Sequence, residues 1–428
     1  MIEKIRSSLL ERIMGIEWYV TDIPHYLSLE IKLNSKSFHV YEVYDGIAIL
    51  NKSQVIKTLG LSKQEKTYTY LLLEKKDIDT IQALSEICRK LNMPFNSIGY
   101  SGLKDANSTS YQLISIPSKY LGRYSVGDII KISDRIVLEV MGFSDKPVMR
   151  NLHRGNYFKI TFELDYNLRD RVEKALNTIK LLKYYPNYYG LQRFGTRRPI
   201  THLIGKYIVR GEWDKAVEYI ISYPFPNEDP LIRKARILAE GNHIRESMNV
   251  YPRKYDYEWL ILKYVSEGLN PLTALKKIPR QYIELFVNAY QSYLFNLTLS
   301  KIIEYYDTYT KTIDGMIECI SPLGDLRPCI QVVGLNMNIN FRSKLYEIIK
   351  EVLLIEGIRI DYFNVKELKV KAYSWLRPAY IPIINFKWEF ISENSKLLTV
   401  ASFILERGAY ATNILRELAN RNIDKMYN

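Results

Sequence analysis

A glycine turn that carries an aspartate is the segment of this sequence whose residue types could do chemistry. The turn Gly102-Leu103-Lys104-Asp105 follows a short predicted strand and precedes a polar run at 106–110. A carboxylate at the end of a strand is well placed to project into a cleft, where it can act as a nucleophile. The alternative is an aspartate that caps the backbone of its own turn, and the local pattern alone favours that alternative.

A second segment, residues 180–210, is basic and contains no acidic residue. Its cations are Lys180, Lys183, Arg193, Arg197, Arg198, Lys206 and Arg210, and four tyrosines are interleaved with them, namely Tyr184, Tyr185, Tyr188 and Tyr189. Basic side chains neutralise phosphates and aromatic faces stack on bases, so the segment is typical of an RNA-binding surface. The alternative is a solvated basic face beside an aromatic core cluster, and we favour the RNA-binding interpretation.

The histidines and cysteines show no spacing typical of a metal site or a disulfide framework. The five histidines are scattered, and Cys88, Cys319 and Cys329 form no CxxC pair. A phosphate-cradling GxxxxGK[ST] loop is also absent from the sequence. We therefore expect no metal and no organic cofactor, and thiols that stay reduced.

Bulk composition narrows the class of protein. The chain has 428 residues, 47% of them hydrophobic, so two or three globular domains are expected. A net charge of +13 points towards an anionic partner, most economically a nucleic acid. The sequence contains no uninterrupted apolar run of about 18 residues and begins without a signal-peptide pattern, so a cytoplasmic protein is expected. The 35 tyrosines are mostly a compositional bias.

The elements that must position the aspartate are read from hydrophobic periodicity. Strand-like alternation recurs through the first 180 residues, with intervening helical stripes, which predicts an α+β domain with a mostly antiparallel sheet. Residues 213–301 are mainly helical. A strand at 398–405 followed by a turn and a helix resembles the first region again, so a helical domain inserted into a split first domain is one explanation.

Six segments, taken together, resemble one known family, the TruD family of tRNA pseudouridine synthases. They occur in the family's order and are Phe38-x-Val40-x-Glu42, Gly102-Leu103-Lys104-Asp105 with Thr109 and Gln112, Arg154-Gly155-Asn156-Tyr157-Phe158, Pro186–Gly195 (PNYYGLQRFG), Tyr290–Asn296 (YQSYLFN), and Gly408–Thr412 (GAYAT) with Leu415-Arg416-Glu417-Leu418. Their order and their span from residue 38 to residue 418 make chance agreement negligible.

The resemblance implies an α+β pseudouridine-synthase catalytic domain, with a mixed, mostly antiparallel sheet, split by an inserted, mainly helical TruD domain. The expected bounds are 1–184 and 379–428 for the two parts of the catalytic domain and 185–378 for the insertion. It implies a monomeric, cofactor-independent isomerase that converts a uridine of tRNA to pseudouridine. Uridine 13 is the family's usual target, and position 35 of the anticodon loop is the second. The alternatives are a non-catalytic RNA-binding protein on the same scaffold and a metal-dependent nuclease, which the scattered histidines disfavour.

The site residues follow from the same resemblance. Asp105 is the expected catalytic aspartate, and Lys32, which has the family's spacing before Phe38, is expected to pair with it and to keep it ionised; the alternative for Lys32 is a solvent-exposed strand lysine. Asn156 is expected to read a uracil edge or to orient the aspartate, and Phe158 to stack on the uracil, although its periodicity also suits the core. The expected substrate-binding residues are Phe38, Asn156, Phe158, Gln192, Arg193, Arg197 and Tyr410.

Overall fold

The protein was examined as a computed structural model, which describes residues 4–427 except 123, 150–151, 253–255, 307–309, 339, 341 and 394–395. Within this part of the chain the α-helices are α1 (Leu9–Ile13), α2 (Lys52–Thr58), α3 (Thr80–Lys90), α4 (Arg169–Leu181), α5 (Thr201–Val209), α6 (Trp213–Ile221), α7 (Pro230–Glu240), α8 (Ile244–Val250), α9 (Tyr257–Ser266), α10 (Pro271–Lys277), α11 (Arg280–Tyr306), α12 (Lys344–Glu356) and α13 (Thr412–Ala419).

The strands are β1 (Phe38–Tyr44), β2 (Ile47–Ala48), β3 (Tyr68–Lys76), β4 (Gly99–Tyr100), β5 (Thr109–Pro117), β6 (Ile129–Ser133), β7 (Ile136–Ser144), β8 (Gly155–Leu164), β9 (Tyr184–Pro186), β10 (Ile317–Ile320), β11 (Leu326–Val332), β12 (Asn364–Val365), β13 (Val370–Lys371), β14 (Trp375–Pro378), β15 (Tyr380–Pro382), β16 (Ile384–Glu393) and β17 (Lys396–Glu406).

One large sheet dominates the fold. Its strand order is β16-β17-β8-β1-β5-β3-β7-β6, with β2 on β1 and β4 on β5. Only the β1–β5 pair is parallel among these pairings, which confirms the predicted mixed, mostly antiparallel sheet in an α+β fold. In β8 the alternation seen in the sequence places Phe158, Ile160, Phe162 and Leu164 on the buried face, as a strand with one polar face requires.

The last long strand of the chain pairs with a strand of its first half. β17 pairs with β8 along its length, from Leu397 opposite Leu164 to Glu406 opposite Gly155. Between β8 and β17 the chain leaves the large sheet and returns to it. The short strands β9 and β15 lie at the two ends of this excursion and pair with each other.

The excursion is mainly helical, as the sequence predicts. It contains α5 to α12 and a three-stranded sheet, β10-β11-β14. Its central helix is α11, which is 27 residues long and largely buried. A single apolar cluster joins the two regions, because Phe158 and Phe403 of the large sheet belong to the same cluster as Phe194 and Phe295 of the helical region.

Two expectations from the sequence are wrong. Cys319 and Cys329 form a disulfide, because the β10–β11 hairpin brings their Cα atoms to 5.9 Å, a proximity that residue spacing alone did not reveal. Three of the four tyrosines at 184–189 belong to the core: Tyr185 and Tyr188 are fully buried and Tyr189 nearly so, and their neighbours are core residues rather than solvent. None of the described helices is long and apolar enough to cross a membrane.

Candidate active site

A cleft of about 680 Å³ opens where β1, β8 and the turns at 101–105 and 407–411 face the helical region. Its lining comes from segments that are far apart in the sequence, and it includes seven of the residues predicted from the sequence, namely Phe38, Asp105, Asn156, Phe158, Gln192, Arg193 and Tyr410. Lys32 and Arg197 are the predicted residues that lie outside it. The cleft is therefore the candidate active site.

The Asp105 turn between β4 and β5 is held by hydrogen bonds to its backbone. The Lys104 amide donates to Thr80 Oγ1 at 2.8 Å, and Gln112 Nε2 donates to the Gly102 carbonyl at 3.2 Å. Lys75 Nζ donates to the carbonyl of Asp105 itself at 2.8 Å. Because these contacts use backbone atoms, they fix the turn and leave the Asp105 side chain facing the cleft.

Glycine is required in this turn for steric reasons. A Cβ on Gly102 would lie 2.9 Å from Cε1 of His153, a buried residue. The His153 ring is itself held by Ser101, whose Oγ is 2.6 Å from Nδ1. The glycine therefore allows the backbone that precedes Asp105 to lie directly against the imidazole.

A buried ion pair lies beneath the turn. Lys104 Nζ is 2.7 Å from Glu42 Oε1, and both side chains are almost completely buried. Glu42 also accepts hydrogen bonds from the Tyr44 hydroxyl and from the Leu113 amide, so its second oxygen is satisfied as well. Burial acts to raise the pKa of Glu42, but Lys104 and His153 outweigh it, and the pKa lies below its usual value.

Two lysines control the charge of Asp105. Dense surrounding protein raises the pKa of Asp105 above its usual value, and the Lys75 and Lys104 ammonium groups oppose that rise. Burial lowers the pKa of Lys75 to about 8, so its side chain still carries a proton at neutral pH. Among the described residues no side chain donates a hydrogen bond to the Asp105 carboxylate, so its oxygens are available to a substrate.

The expected pair between Lys32 and Asp105 is not formed. Residues 27–33 alternate between buried and exposed positions, and Lys32 falls on the exposed side, with a side chain 60% accessible and Nζ 3.5 Å from Glu30 Oε1. Period-two alternation thus turns Lys32 towards solvent, and the alternative of a solvent-exposed lysine is correct. Lys75 and Lys104 occupy the role that the sequence assigned to it.

Aromatic rings form two walls of the cleft. The Phe38 and Phe158 rings are stacked 5.9 Å apart at an interplanar angle of 6°, and Phe403 packs behind Phe158. Tyr410 is half-buried on another part of the lining, in contact with Gly190, where an added Cβ would come within 3.0 Å of the Tyr410 ring. Gly190 therefore leaves the space in which the Tyr410 ring sits.

Asn156 carries an unsatisfied acceptor. In the sheet it lies between Glu42 of β1 and Leu405 of β17, and its side chain lines the cleft. Its Oδ1 is buried and has no hydrogen-bond partner within the described structure. Because buried polar atoms are normally hydrogen-bonded, this oxygen is suited to accept a hydrogen bond from a bound ligand.

The basic segment 180–210 contributes less free charge than its composition indicates. Carboxylates outside the segment pair with Arg198, Lys206 and Arg210. Arg193 lines the cleft and donates from Nε to Ser292 Oγ at 2.9 Å, and Arg197 is exposed without an ion pair in the described residues. The cations of the segment that remain without a carboxylate partner among the described residues are Lys180, Lys183, Arg193 and Arg197, and of these only Arg193 lines the cleft.

Sequence reasoning missed Lys75, Glu42 and His153 as members of this site. Lys75 is a lysine in the buried run of β3, where a charged residue is rare unless it has partners, and that was the available signal. Glu42 and Lys104 both lie in motifs, but their pairing depends on the spatial arrangement of β1 and the turn. No spacing rule reports such a contact.

Side chains of the described residues offer no cluster of three or more His, Cys, Asp or Glu that could hold a metal ion. The chemistry available in the cleft is that of one carboxylate beside two ammonium groups, with stacking faces and an amide at hand. Such a site can bind a planar, hydrogen-bonding ring and attack it or its attached sugar.

Comparisons with known proteins agree with this geometry. The sequence profile described as "tRNA pseudouridine synthase D (TruD)" matches residues 13–323 and 321–418. A probable tRNA pseudouridine synthase D of Saccharolobus solfataricus is 32% identical over 410 residues, which cover 92% of this chain and 97% of the relative. A probable tRNA pseudouridine synthase D of Pyrobaculum islandicum is 29% identical over 428 residues, covering 97% of each chain. The crystal structure of a putative tRNA pseudouridine synthase D from Methanosarcina mazei superposes with a TM-score of 0.73 at 24% identity, covering 99% of this chain and 100% of that one, and so shares the fold.

Proposed function

The chain belongs to the TruD family of tRNA pseudouridine synthases and is an isomerase of that type, and from this premise we propose that Asp105 is its catalytic aspartate and a flipped-out uridine of tRNA its substrate. The observation that carries the proposal is the convergence of Asp105, Asn156, Phe158 and Tyr410 in one cleft. Three separate motif segments supply these four side chains. The fold therefore assembles the site from distant segments and not from one continuous stretch of sequence.

The reaction is an isomerisation, so its atoms balance within the nucleotide. The bond between N1 of uracil and C1′ of ribose breaks, the base turns, a bond forms between C5 and C1′, and the C5 proton is released as N1 gains one. Asp105 starts the reaction in one of three ways: attack on C1′, attack on C6 of the base, or removal of the 2′ proton. Each requires the ionised carboxylate, and Lys75 and Lys104 favour that form.

Besides an ionised carboxylate, the reaction requires that the detached base be held in the cleft. The Phe158 face and the Tyr410 ring supply stacking contacts, which offset the few kcal/mol that unstacking the target nucleotide costs. The free Asn156 Oδ1 is suited to accept a hydrogen bond from the N3–H group of uracil, which cytosine lacks. The base is therefore retained between bond cleavage and bond formation.

We place the catalytic domain at 1–184 and 379–428 and the inserted domain at 185–378, with the cleft between them, and the enzyme acts as a monomer in the cytoplasm. The β9–β15 pairing at the ends of the excursion supports these bounds. Gln192, Arg193 and Arg197, from the start of the insertion, face the RNA. Uridine 13 is the proposed target, and position 35 is the second candidate.

The experiment that tests the target is pseudouridine mapping. Unmodified tRNA transcripts are incubated with the protein, treated with a carbodiimide that marks pseudouridine, and read by reverse transcription. We expect a stop at position 13 that disappears in a transcript carrying cytidine there. A stop at 35 alone would assign the second target, and a modified uridine elsewhere would overturn both assignments.

A further inference from the structure

We infer that the chain contains a second anion site, an arginine pocket that binds backbone phosphates of the tRNA strand beyond the target nucleotide. The pocket is a cavity of about 670 Å³ lined by Arg6, Arg12, Arg197 and Arg421. Four segments enclose it: the N-terminal residues around α1, the loops 196–199 and 225–227, and the C-terminal residues 420–424. The inference rests on the proposed function, since it takes tRNA as the substrate.

The arginine pocket is joined to the active-site cleft by a third cavity. That intermediate cavity, of about 560 Å³, shares Asp105 and Gln192 with the cleft. It shares Thr196 and Arg197 with the arginine pocket. A strand whose target nucleotide lies at Asp105 can therefore continue past Arg197 into the arginine pocket without leaving the surface of the protein.

Arg12 is the observation that points to a ligand. Its Nε is buried and has no hydrogen-bond partner among the described residues, and no carboxylate there pairs with its guanidinium. A buried donor left unpaired is costly, and native structures rarely keep one without a purpose. Phosphate oxygens accept hydrogen bonds from arginine in a two-pronged geometry, so an RNA phosphate in the pocket is a suitable partner for the Arg12 guanidinium.

The position of Arg12 is fixed from the core. The preceding residue, Glu11, is fully buried and forms an ion pair with Arg416 of α13, which is equally buried. The α1 segment is also capped by Ser8, whose side chain accepts from the Glu11 amide. These contacts hold the backbone of Arg12 beside the pocket before any ligand binds, which lowers the entropic cost of binding.

Charges around the arginine pocket also favour an anion. Arg197 and Arg421 are exposed and have no carboxylate within ion-pair distance in the described part of the chain. Arg6 forms one long ion pair, in which its Nη2 is 3.9 Å from Glu17 Oε2. The acidic residue in the lining is Asp424. Besides Asp105, the intermediate cavity is lined by more carboxylates, but each has cationic or amide partners: Arg236 pairs with both Glu228 and Glu258. Asp229 and Asp256 accept hydrogen bonds from the first amides of α7 and α9, so these carboxylates oppose a phosphate less than free ones would.

The test compares the double variant Arg12→Gln/Arg421→Gln with the matched control Arg89→Gln. Arg89 is exposed on α3, has no ion pair within the described residues and lies outside all three cavities. The Kd for full-length tRNA is measured by filter binding between 50 and 300 mM KCl, values chosen to span roughly the range in which counterion release dominates. We expect binding to weaken roughly tenfold per arginine, and the salt slope to fall by about 1 for each.

Steady-state kinetics and the single variant Arg421→Gln complete the test of the arginine pocket. In tritium release from tRNA the loss should appear in KM and not in kcat, because the arginines contact the strand away from the reacting base. Arg421→Gln alone, at an exposed position, should give about half the effect on the logarithm of Kd even if the Arg12 change disturbs α1. A double variant with the Kd and salt slope of Arg89→Gln overturns the arginine pocket. A wild type that binds tRNA but releases no tritium refutes the proposed function instead, and the binding comparison still decides this inference.

Discussion

Lys104 Nζ and Glu42 Oε1 lie 2.7 Å apart beneath the turn that carries Asp105, and neither side chain is more than 5% exposed. The pair joins the first motif of the sequence to the second. It also sets the electrostatics of the site, because the same Lys104 that holds Glu42 ionised lowers the pKa of Asp105.

Breaking this pair from one side should destabilise the fold. Glu42→Gln leaves Lys104 buried without its counter-charge, which typically costs about 3–5 kcal/mol. The exposed cross-strand pair Lys396–Glu163, in the same sheet, is the control, and Glu163→Gln should cost less than about 1 kcal/mol. Denaturant unfolding measures both. Equal costs for Glu42→Gln and Glu163→Gln would contradict the buried pair.

The double variant Glu42→Gln/Lys104→Met extends that test. Since removing both charges leaves neither one stranded, its cost should be smaller than the sum of the two single changes. Simple additivity would mean that the two side chains do not interact in solution.

Lys75→Met should shift the pH dependence of catalysis. The dense surrounding protein raises the pKa of Asp105 and the Lys75 ammonium opposes that rise, so loss of the Lys75 charge lets the pKa rise further. Because the reaction needs ionised Asp105, the acidic limb of kcat/KM should move to higher pH. Lys75→Arg keeps the charge and should leave the limb near its wild-type position. An unmoved limb in Lys75→Met would show that Lys75 does not act on Asp105.

His153 should make the fold sensitive to acid. Burial lowers its pKa from 6.5 to about 4. Between these values the unfolded chain binds a proton that the folded chain does not, so stability is complete above pH 6.5 and falls as the pH drops towards 4, by up to about 3 kcal/mol. The buried His202 adds to the loss in the same direction. Unfolding free energies of His153→Gln between pH 7 and 4 should fall less steeply than those of the wild type, and parallel curves would contradict the assignment.

Arg197→Ala and Arg198→Ala should differ in kind. Arg197 is exposed and should affect tRNA binding, with a weaker Kd and a smaller salt slope. Arg198 donates to the carbonyls of Ser222 and Tyr223 and pairs with Glu258, so its loss should lower the unfolding temperature. Filter binding and thermal unfolding of both variants distinguish the roles. A loss of tRNA affinity in Arg198→Ala at unchanged stability would reverse them.

The sequence predicted the sheet and the residues that meet in the cleft better than the charge pairing within it. The family resemblance of the ordered motifs brings Asp105, Asn156 and Phe158 into one hypothesis. Strand periodicity alone places Phe158 in the core, and the local pattern alone favours an Asp105 that caps its own turn. Pairings such as Lys104–Glu42 depend on how β1 and the turn pack, which no local pattern encodes.

The errors have a common physical origin. Lys32 was assigned by spacing from Phe38, but the alternation of residues 27–33 turns its side chain to solvent. The cations around Tyr185 and Tyr188 predict an RNA-binding role for both, but the two side chains are buried against α13 and α11. The Tyr188 hydroxyl lies 3.0 Å from Ser300 Oγ, and the Tyr185 hydroxyl donates to Glu417 at 2.6 Å. A local sequence pattern shows which residues are neighbours along the chain, whereas the burial of a side chain depends on how distant segments pack in the fold.

The most direct test of the account is tritium release from tRNA labelled at C5 of uridine, by the wild type and by Asp105→Asn. The amide is nearly isosteric with the carboxylate but cannot carry its negative charge. The account predicts release by the wild type, none above background by Asp105→Asn, and a similar tRNA Kd for both. Release by Asp105→Asn at the wild-type rate would show that Asp105 is not the catalytic group, and a wild type that binds tRNA without releasing tritium from any tRNA would point to a non-catalytic RNA-binding protein on this scaffold.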